Sequence, residues 1–361
     1  MLSEETSKRI TVLRFILSCM VIVFHNNKTI LPILSDPALS FAQPAVWSHI
    51  LQLIFHFTFA LAPVPLFFAF SAYIQYDKDY AYPVLLKKRV SSILMPLFSW
   101  PALIIGGRIL IKFVCIKLFP DKVSSVLPYV DEWSAKDWLA AFFGNYDDVL
   151  SGNNYLCEPF VMPFYFIRDL FILVVLSPLI KKLVQKAPLA YGLVLAYMYF
   201  TNLRPVIVCV NAIFFYSLGF YFACYKLDAF KLADSVSWKR FAVLAAASFV
   251  YVMLTRNTSF CPIVSCLFYL KISRNLLNGN EKLVHALEYL SGFSFFLYAI
   301  HAPYFLPAFT KVWFAHVSQN CFTDLAEYFI LSAVICACGT LIGILCRRFI
   351  PKLFFVLNGG R

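Results

Sequence analysis

Charged residues are scarce in this sequence, and their scarcity excludes most soluble proteins. Asp, Glu, Lys and Arg make up 14% of the 361 residues, whereas 61% are hydrophobic. A soluble domain carries roughly a quarter charged residues and about 45–50% apolar ones. The composition therefore excludes a soluble dinucleotide-binding enzyme, a disulfide-linked secreted scaffold and a disordered tail. It predicts a polytopic membrane protein.

Several catalytic and metal-binding motifs are also missing. The 11 cysteines form no CxxC pair, no Cys/His cluster has zinc spacing, and most cysteines lie in apolar runs as small buried hydrophobes. None of the six histidines has an aspartate five residues on, and there is no GxSxG, HExxH or P-loop lysine. If the chain is an enzyme, its site is therefore built inside a helix bundle, and we expect no metal.

Apolar runs predict an all-α bundle of about ten transmembrane helices, since a helix that crosses the bilayer needs about 20 apolar residues. The runs are about Thr11–Leu31, Val46–Tyr76, Ile93–Phe119, Pro163–Ile180, Leu189–Pro205, Val206–Tyr225, Phe241–Thr255, Phe260–Lys271, His285–Phe314 and Leu325–Cys346. The eighth run is short, and only Arg204-Pro205 separates the fifth from the sixth. Without an internal repeat or a linker, we predict one membrane domain over residues 1–361, with an outer loop at about 120–162.

The net charge of +12 comes from short clusters between the apolar runs rather than from one patch. Most of the 31 Lys and Arg residues fall in alternate loops, which would lie inside if the N-terminus is cytoplasmic. Because cytoplasmic loops carry an excess of Lys and Arg, this alternation predicts that both termini are cytoplasmic. It argues against nucleic-acid binding.

The first span carries an arginine and a histidine on one helix face. A charged side chain near the bilayer centre costs roughly 2.5–3.5 kcal/mol, so each is a candidate for function. From Arg14 to His25, eleven steps of about 100° return to within about 20° of the start, about 16 Å along the axis. Ser18 lies between them. The alternative is a satisfied histidine and an arginine that snorkels to the inner surface.

The sequence KRITVLRFILSCMVIVFHN around this pair resembles the first span of the acyltransferase 3 family. Four further segments resemble the family in order, and the likeness extends from about Lys8 to Pro351. They are PLFFAFSAYI with LLKKRVSSILMPLFSW, PFYFIRDLFILVVLSPLI, FFYSLGFYFACYKLDAF and LSGFSFFLYAIHAPYF. Ala72 departs from the family's usual glycine, which weakens the expectation of close helix packing there.

The resemblance implies a membrane O-acyltransferase of the bacterial cytoplasmic membrane. It would move an acyl group, usually acetyl from cytoplasmic acetyl-CoA, to a hydroxyl of a cell-envelope or extracellular glycan. Under this interpretation His25 is a general base or carries the acyl group itself. Arg14 holds the donor's phosphates or steadies the thioester oxygen.

A basic cluster, Lys87, Lys88 and Arg89, precedes the third span, and Arg89 aligns with the arginine of the family's loop. Clustered Lys and Arg bind phosphates well, so the cluster is a candidate site for CoA. The alternative is ordinary positive-inside topology. Ser71 and Tyr73 lie beside this cluster and belong to the predicted substrate route.

Arg168, Asp169 and His301 complete the predicted route. Neighbours on a helix point about 100° apart, so we expect Arg168 and Asp169 to pair with other helices rather than with each other. The alternative for this pair is a structural ion pair. His301 lies about as deep as His25 and either lines the same cavity or caps a break before Pro303.

Residues outside this route have more ordinary interpretations. We interpret Arg108 and Lys112 as outer anchors and His56 as structural. The outer loop is rich in carboxylates, amides and aromatic residues, which suit sugar binding. However, Trp138–Phe143 also reads as a short helix on the membrane surface, which we favour.

Two rival functions remain from the sequence alone. One is a glycan or lipid transporter without acyl-transfer chemistry, although such folds often show internal repeats and broken paired spans. The other is a degenerate family member that acts as a scaffold or sensor. Retention of both Arg14 and His25 argues against the second.

Overall fold

A computed structural model describes residues 3–26, 30, 44–78, 80–118, 133–144, 161–203 and 208–360, with a few helical positions described by backbone alone. Within these ranges every regular element is a helix, and no strand occurs. The all-α class predicted from the sequence is therefore confirmed.

Nineteen α-helices are described in these ranges, joined in places by single π-helical turns. They are α1 Glu4–His25, α2 Pro44–Ser48, α3 Ile50–Phe55, α4 Pro63–Lys78, α5 Tyr82–Arg89, α6 Met95–Leu118, α7 Ala135–Phe143, α8 Tyr165–Lys186, α9 Pro188–Phe200, α10 Val210–Cys224, α11 Ala229–Ser235, α12 Trp238–Thr255, α13 Phe260–Leu277, α14 Glu281–Ser291, α15 Ser294–Ile300, α16 Leu306–His316, α17 Cys321–Ala326, α18 Ser332–Phe349 and α19 Pro351–Leu357.

Six helical stretches of the described chain are long and apolar enough to cross a bilayer. They are Ile50–Lys78, Tyr82–Gly107, Met162–Lys186, Trp238–Thr255, Phe260–Leu277 and Cys321–Phe349. The pair α14 and α15, bent by 57°, makes a seventh if it counts as one span, and α9 and α10 are shorter apolar helices. Each of the ten predicted runs contains a helix, but length and composition mark only six or seven as spans.

Helices α4 and α10 approach most closely at Gly219, which is buried in α10. A Cβ atom built there would lie 2.2 Å from the Ala69 carbonyl oxygen and 3.0 Å from the Ala72 Cβ. Only glycine allows this approach. The expectation that Ala72 would hinder close packing was wrong. Gly219 on the facing helix has no side chain, so α10 can approach α4 at Ala72.

Arg9 is buried, and it joins three helices. Its side chain is only 2% exposed. The guanidinium donates to both carboxylate oxygens of Asp234 at 2.8 and 2.9 Å, to the Ser273 hydroxyl at 2.8 Å and to the Leu270 carbonyl at 2.6 Å. A guanidinium with a bidentate carboxylate partner and two further acceptors is well suited to burial. It fixes the cytoplasm-proximal end that we predict for α1.

Two helix breaks shape the region around the predicted site. A π turn at Val90–Leu94 joins α5 to α6 directly after Arg89. A second break follows α15, where Ala302 has the non-helical angles φ −122° and ψ 138°. The break predicted before Pro303 is therefore present. Such interruptions are frequent at functional sites because they redirect side chains.

Candidate active site

A cavity of about 600 Å³ lies between α1, α4, α5, α8 and α15, within the usual range for small-molecule sites. Four predicted site residues line it: Arg14, Ser71, Lys88 and Arg89. Arg14 is exposed to this cavity, and Arg89 and Ser71 are half-buried in its wall. Residues from three separate parts of the sequence thus meet at one cavity.

The cavity has a strongly positive lining. Lys78 joins Arg14, Lys88 and Arg89 there, and no carboxylate belongs to the lining among the described residues. The Lys88 ammonium lies 3.7 Å from the centre of the Tyr80 ring, which also lines the cavity. Four cations without a lining carboxylate favour a polyanionic ligand.

Six predicted site residues lie outside this lining: Lys87, Tyr73, His25, His301, Arg168 and Asp169. Lys87 is exposed, and Tyr73 is half-buried one residue beyond Ala72. Adjacent helical residues point about 100° apart, so the orientation that brings Lys88 and Arg89 to the cavity directs Lys87 elsewhere. Lys87 remains a prediction for which the cavity gives no support.

The two candidate histidines, His25 and His301, lie together beyond the deep end of the cavity. Their ring centroids are 5.2 Å apart. His301 is fully buried and its Nδ1 donates to the Tyr298 carbonyl at 2.6 Å, because a carbonyl can only accept. Its Nε2 has no hydrogen-bond partner among the described residues. In the neutral form of the ring, Nε2 therefore carries a lone pair without a partner in the described chain, and the ring itself lies next to that of His25.

Tyr298 connects the cavity to the histidine pair. Its side chain lines the cavity, and its backbone carbonyl accepts the His301 bond. The Tyr298 hydroxyl donates to the carbonyl of Pro163 at the turn before α8. His25 itself is half-buried and does not line the cavity. Arg14, which lines the basic cavity, and His25, which pairs with His301, thus lie on the same stripe of α1.

His56 has the packing role expected of it. It is 3% exposed, stacks on Phe24 with ring centres 5.4 Å apart, and has Nδ1 3.3 Å from the Tyr328 hydroxyl. Asn26, after α1, is also structural, since its amide donates to the backbone oxygens of Glu327 and Tyr328 at 3.3 and 3.4 Å.

The expectation that Arg168 and Asp169 do not pair with each other is wrong. Arg168 Nε and Nη2 donate to one Asp169 oxygen at 2.9 and 2.7 Å, and both residues are buried. The arginine side chain is long enough to reach the carboxylate of its neighbour. The attraction between the two buried charges then offsets part of the cost of removing them from water. Each also bonds to another element: Arg168 to the Phe143 carbonyl at 2.7 Å, and Asp169 to the Cys209 amide at 2.9 Å. The geometry is that of a structural ion pair.

Much of the predicted outer loop lies outside the described residues. The described part contains α7, which begins with a reciprocal capping box between Ser134 and Asp137. Trp138 and Leu139 are exposed on this helix, as a helix resting on a membrane surface requires. The remaining acidic and amide residues fall outside: Asp121, Asp131, Glu132, Asn145, Asp147, Asp148, Asn153, Asn154 and Glu158. The side chains of Arg108 and Lys112 also lie outside the description.

Some lining residues were missed from the sequence. Gln75, Gly292 and Asn358 line the cavity although they lie far apart in the chain. The Asn-Gly-Gly run at residues 358–360 is a turn signal, but nothing local indicates what it contacts. No group of three His, Cys, Asp or Glu residues suited to a metal occurs in the part of the chain that the structure describes.

Comparison with known proteins identifies the class. The family model described as an acyltransferase domain, that of the acyltransferase 3 family, matches residues 7–346. The chain belongs to this family, as its motifs predicted. It is also similar to the succinoglycan biosynthesis protein ExoH of Rhizobium meliloti (strain 1021), with 25% identity over 331 residues, 82% of this chain and 79% of ExoH. No solved structure matches the chain.

Proposed function

We propose that this protein is a multi-pass O-acyltransferase that moves an acyl group, most simply acetyl, from cytoplasmic acyl-CoA to a hydroxyl of a cell-envelope or extracellular glycan. The proposal includes ten spans, both termini in the cytoplasm and residence in the bacterial cytoplasmic membrane. The observation that carries it is the cationic cavity that contains Arg14, with His25 and His301 paired further along α1.

The cavity cations suit the phosphates of CoA. Arg89 and Arg14 offer planar guanidinium groups that bind phosphate oxygens in pairs, and Lys88 adds a point charge. The Lys88–Tyr80 contact lies where α4 gives way to α5, on the side that the positive-inside rule assigns to the cytoplasm. A cytoplasmic polyanion would therefore enter from the side of Lys78 and Lys88.

The spacing along α1 suits the long arm of the donor. Arg14 and His25 are eleven residues apart, about 16 Å at the helical rise of 1.5 Å per residue. With phosphates held near Arg14, an extended pantetheine arm directed past Ser18 would bring the thioester toward His25. Tyr298 lines the cavity and bonds to His301 through its carbonyl, so it would border this path.

The chemistry assigned to His25 has two balanced forms. As general base, it takes the proton of the acceptor hydroxyl while that oxygen bonds to the acyl carbon and the thioester C–S bond breaks. The proton then passes to the departing thiolate. As acyl carrier, its nitrogen bonds to the acyl carbon while the C–S bond breaks; the acceptor oxygen then displaces the imidazole, and the hydroxyl proton passes to the thiolate. In this second form His301 Nε2 would accept the ring proton of the acylated His25 and return it when the imidazole leaves.

The acceptor class is supported by the relative rather than by the site. ExoH is a succinoglycan biosynthesis protein, and succinoglycan is a polysaccharide. A glycan hydroxyl is therefore the acceptor that we propose here.

The test combines purified protein and cells. Full-length protein with labelled acetyl-CoA should bind the donor and, with a glycan acceptor, release CoA. In cells, His25→Ala should abolish the ester content of the surface glycan by mass spectrometry. His285→Ala, an exposed histidine on α14, is the control and should leave it unchanged. Unchanged ester content in His25→Ala, with the protein still made, contradicts the proposal, and failure to bind acetyl-CoA favours a transporter.

A further inference from the structure

The C-terminal end of the described chain packs against the cavity wall. Helix α19 is held by Phe354, whose ring contacts those of Phe293 and Phe296 at 5.7 and 5.5 Å. The Trp100 indole on α6 donates to the Leu357 carbonyl at 2.9 Å. The residues that follow are therefore anchored to both the third and the ninth predicted spans.

Asn358 joins this end to the break between α14 and α15. It is 1% exposed, and its amide donates to the Gly292 carbonyl at 3.1 Å. Asn358 and Gly292 both line the cavity. The two helices bend by 57° at this break, so the amide bond ties the C-terminal end to the point where the α15 wall begins.

Gly359 packs against the opposite wall of the cavity, which contains Ser92. Its φ is +69°, and a Cβ there would lie 2.5 Å from the Ser92 carbonyl oxygen and 3.1 Å from Pro96 Cγ. Glycine is required on both counts, the left-handed angle and the contact. Ser92 lies in the π turn and lines the cavity three residues after Arg89. Any side chain at residue 359 must displace the backbone that presents Arg89.

We infer that Leu357–Gly359, which we name the C-terminal brace, is a positioning element that sets the affinity of the cavity for its acyl donor. The brace holds the Arg89–Ser92 wall at a fixed distance from the Gly292 wall. This inference rests on the proposed function, since it takes acyl-CoA as the ligand. It assigns a role in binding to residues outside the matched family region, which ends at residue 346.

The decisive comparison uses two adjacent glycines. Gly359 and Gly360 have similar left-handed angles, φ +69° and +73°, so alanine strains the backbone similarly at both. At Gly360 the nearest neighbours of a new Cβ are Phe355 at 3.4 Å and Ser91 Oγ at 3.5 Å, which are ordinary contacts. Only Gly359→Ala forces the π turn to move.

The measurement is the Kd of acetyl-CoA for the full chain in detergent, with the melting temperature recorded in parallel. Gly359→Ala should raise Kd about tenfold, since displacement of a binding group by a fraction of an ångström is costly, and Gly360→Ala should stay within about twofold. Both variants should lose thermal stability, and Gly359→Ala should lose more because its Cβ also meets the Ser92 carbonyl oxygen. A merely structural role predicts the stability loss without the difference in Kd.

Two further variants keep the inference testable if Gly359→Ala does not fold. Trp100→Phe removes the bond to the Leu357 carbonyl but keeps a ring, and Asn358→Leu removes the bond to Gly292 at similar volume. Both should raise Kd. Normal Kd in all folded variants overturns the brace alone, whereas a wild-type chain that binds no acetyl-CoA overturns the proposed function and the brace with it.

Discussion

The imidazole rings of His25 and His301 lie 5.2 Å apart, although 276 residues separate them in the chain. His301 is fixed in one tautomer by its bond to the Tyr298 carbonyl, which leaves Nε2 as the free lone pair. A histidine oriented by a backbone carbonyl is the arrangement that keeps a proton acceptor in place. This pairing makes His301 a second testable residue of the proposed reaction.

His301→Asn should lower kcat for glycan acylation about 10²–10⁴-fold if Nε2 takes part in proton transfer. Asparagine can keep the donor that bonds the Tyr298 carbonyl but lacks any group at the position of Nε2. The KM for acetyl-CoA should be unchanged, because His301 lies outside the lining of the basic cavity. The check is steady-state kinetics with the purified chain.

His56→Asn is the matched control, because this buried histidine, at the start of the π turn His56–Ala60, packs against Phe24 and Tyr328. It should reduce stability more than kcat. A His301→Asn enzyme with wild-type kcat would show that the buried ring serves packing only.

Arg14→Gln and Arg89→Gln should each weaken acetyl-CoA binding about ten- to hundredfold, the usual cost of removing a charged hydrogen-bond partner. Lys87→Gln should change it less than about twofold, since Lys87 is exposed outside the cavity lining. Calorimetry with acetyl-CoA and with S-acetylpantetheine distinguishes binding of the phosphates from binding of the rest of the donor. Only acetyl-CoA carries the nucleotide phosphates, so equal weakening of both ligands would contradict phosphate binding by these arginines.

Acyl carriage by His25 predicts a labelled protein. Incubation with acyl-labelled acetyl-CoA without acceptor should leave label on the wild-type chain and none on His25→Ala if the imidazole carries the acyl group. Intact-protein mass spectrometry after rapid quenching makes the measurement. No label on the wild-type chain, in a preparation that acylates glycan, would assign His25 the role of general base.

The sequence predicted those parts of the site that depend on local geometry. Arg14, Ser18 and His25 share a stripe because helical periodicity is fixed by the backbone, whatever packs around it. Arg89 was found because charge clusters beside apolar runs are visible without a structure.

Other parts depend on contacts between distant segments and could not be predicted. Asn358 reaches Gly292, and Arg9 reaches Asp234, only through packing of helices far apart in sequence. The Arg168–Asp169 pair was missed for another reason. The Cα–Cβ bonds of adjacent helical residues point in different directions. A long arginine side chain can nevertheless turn back to the carboxylate of its neighbour when both residues are buried.

Asp169→Asn should destabilise the protein by about 3–5 kcal/mol, because it leaves the buried Arg168 guanidinium without its counter-charge. Thermal unfolding in detergent provides the measurement. The double variant Arg168→Met, Asp169→Leu should be less destabilised than Asp169→Asn, since no uncompensated charge remains. If the single variant is as stable as wild type, the pair does not hold the start of α8 in place.

Gly219→Ala should destabilise the bundle by about 1–3 kcal/mol, the usual cost of overpacking a core. The new methyl group would lie 2.2 Å from the Ala69 carbonyl oxygen, so α4 and α10 must separate. Because Ser71 on α4 lines the cavity, this separation should also weaken acetyl-CoA binding. The control is Gly106→Ala on α6, where a new Cβ has no neighbour within 4 Å and alanine favours the helix by about 1 kcal/mol. The melting temperature of Gly219→Ala should therefore fall, whereas that of Gly106→Ala should rise or stay the same. Equal melting temperatures would show that α4 and α10 can adjust without loss of stability.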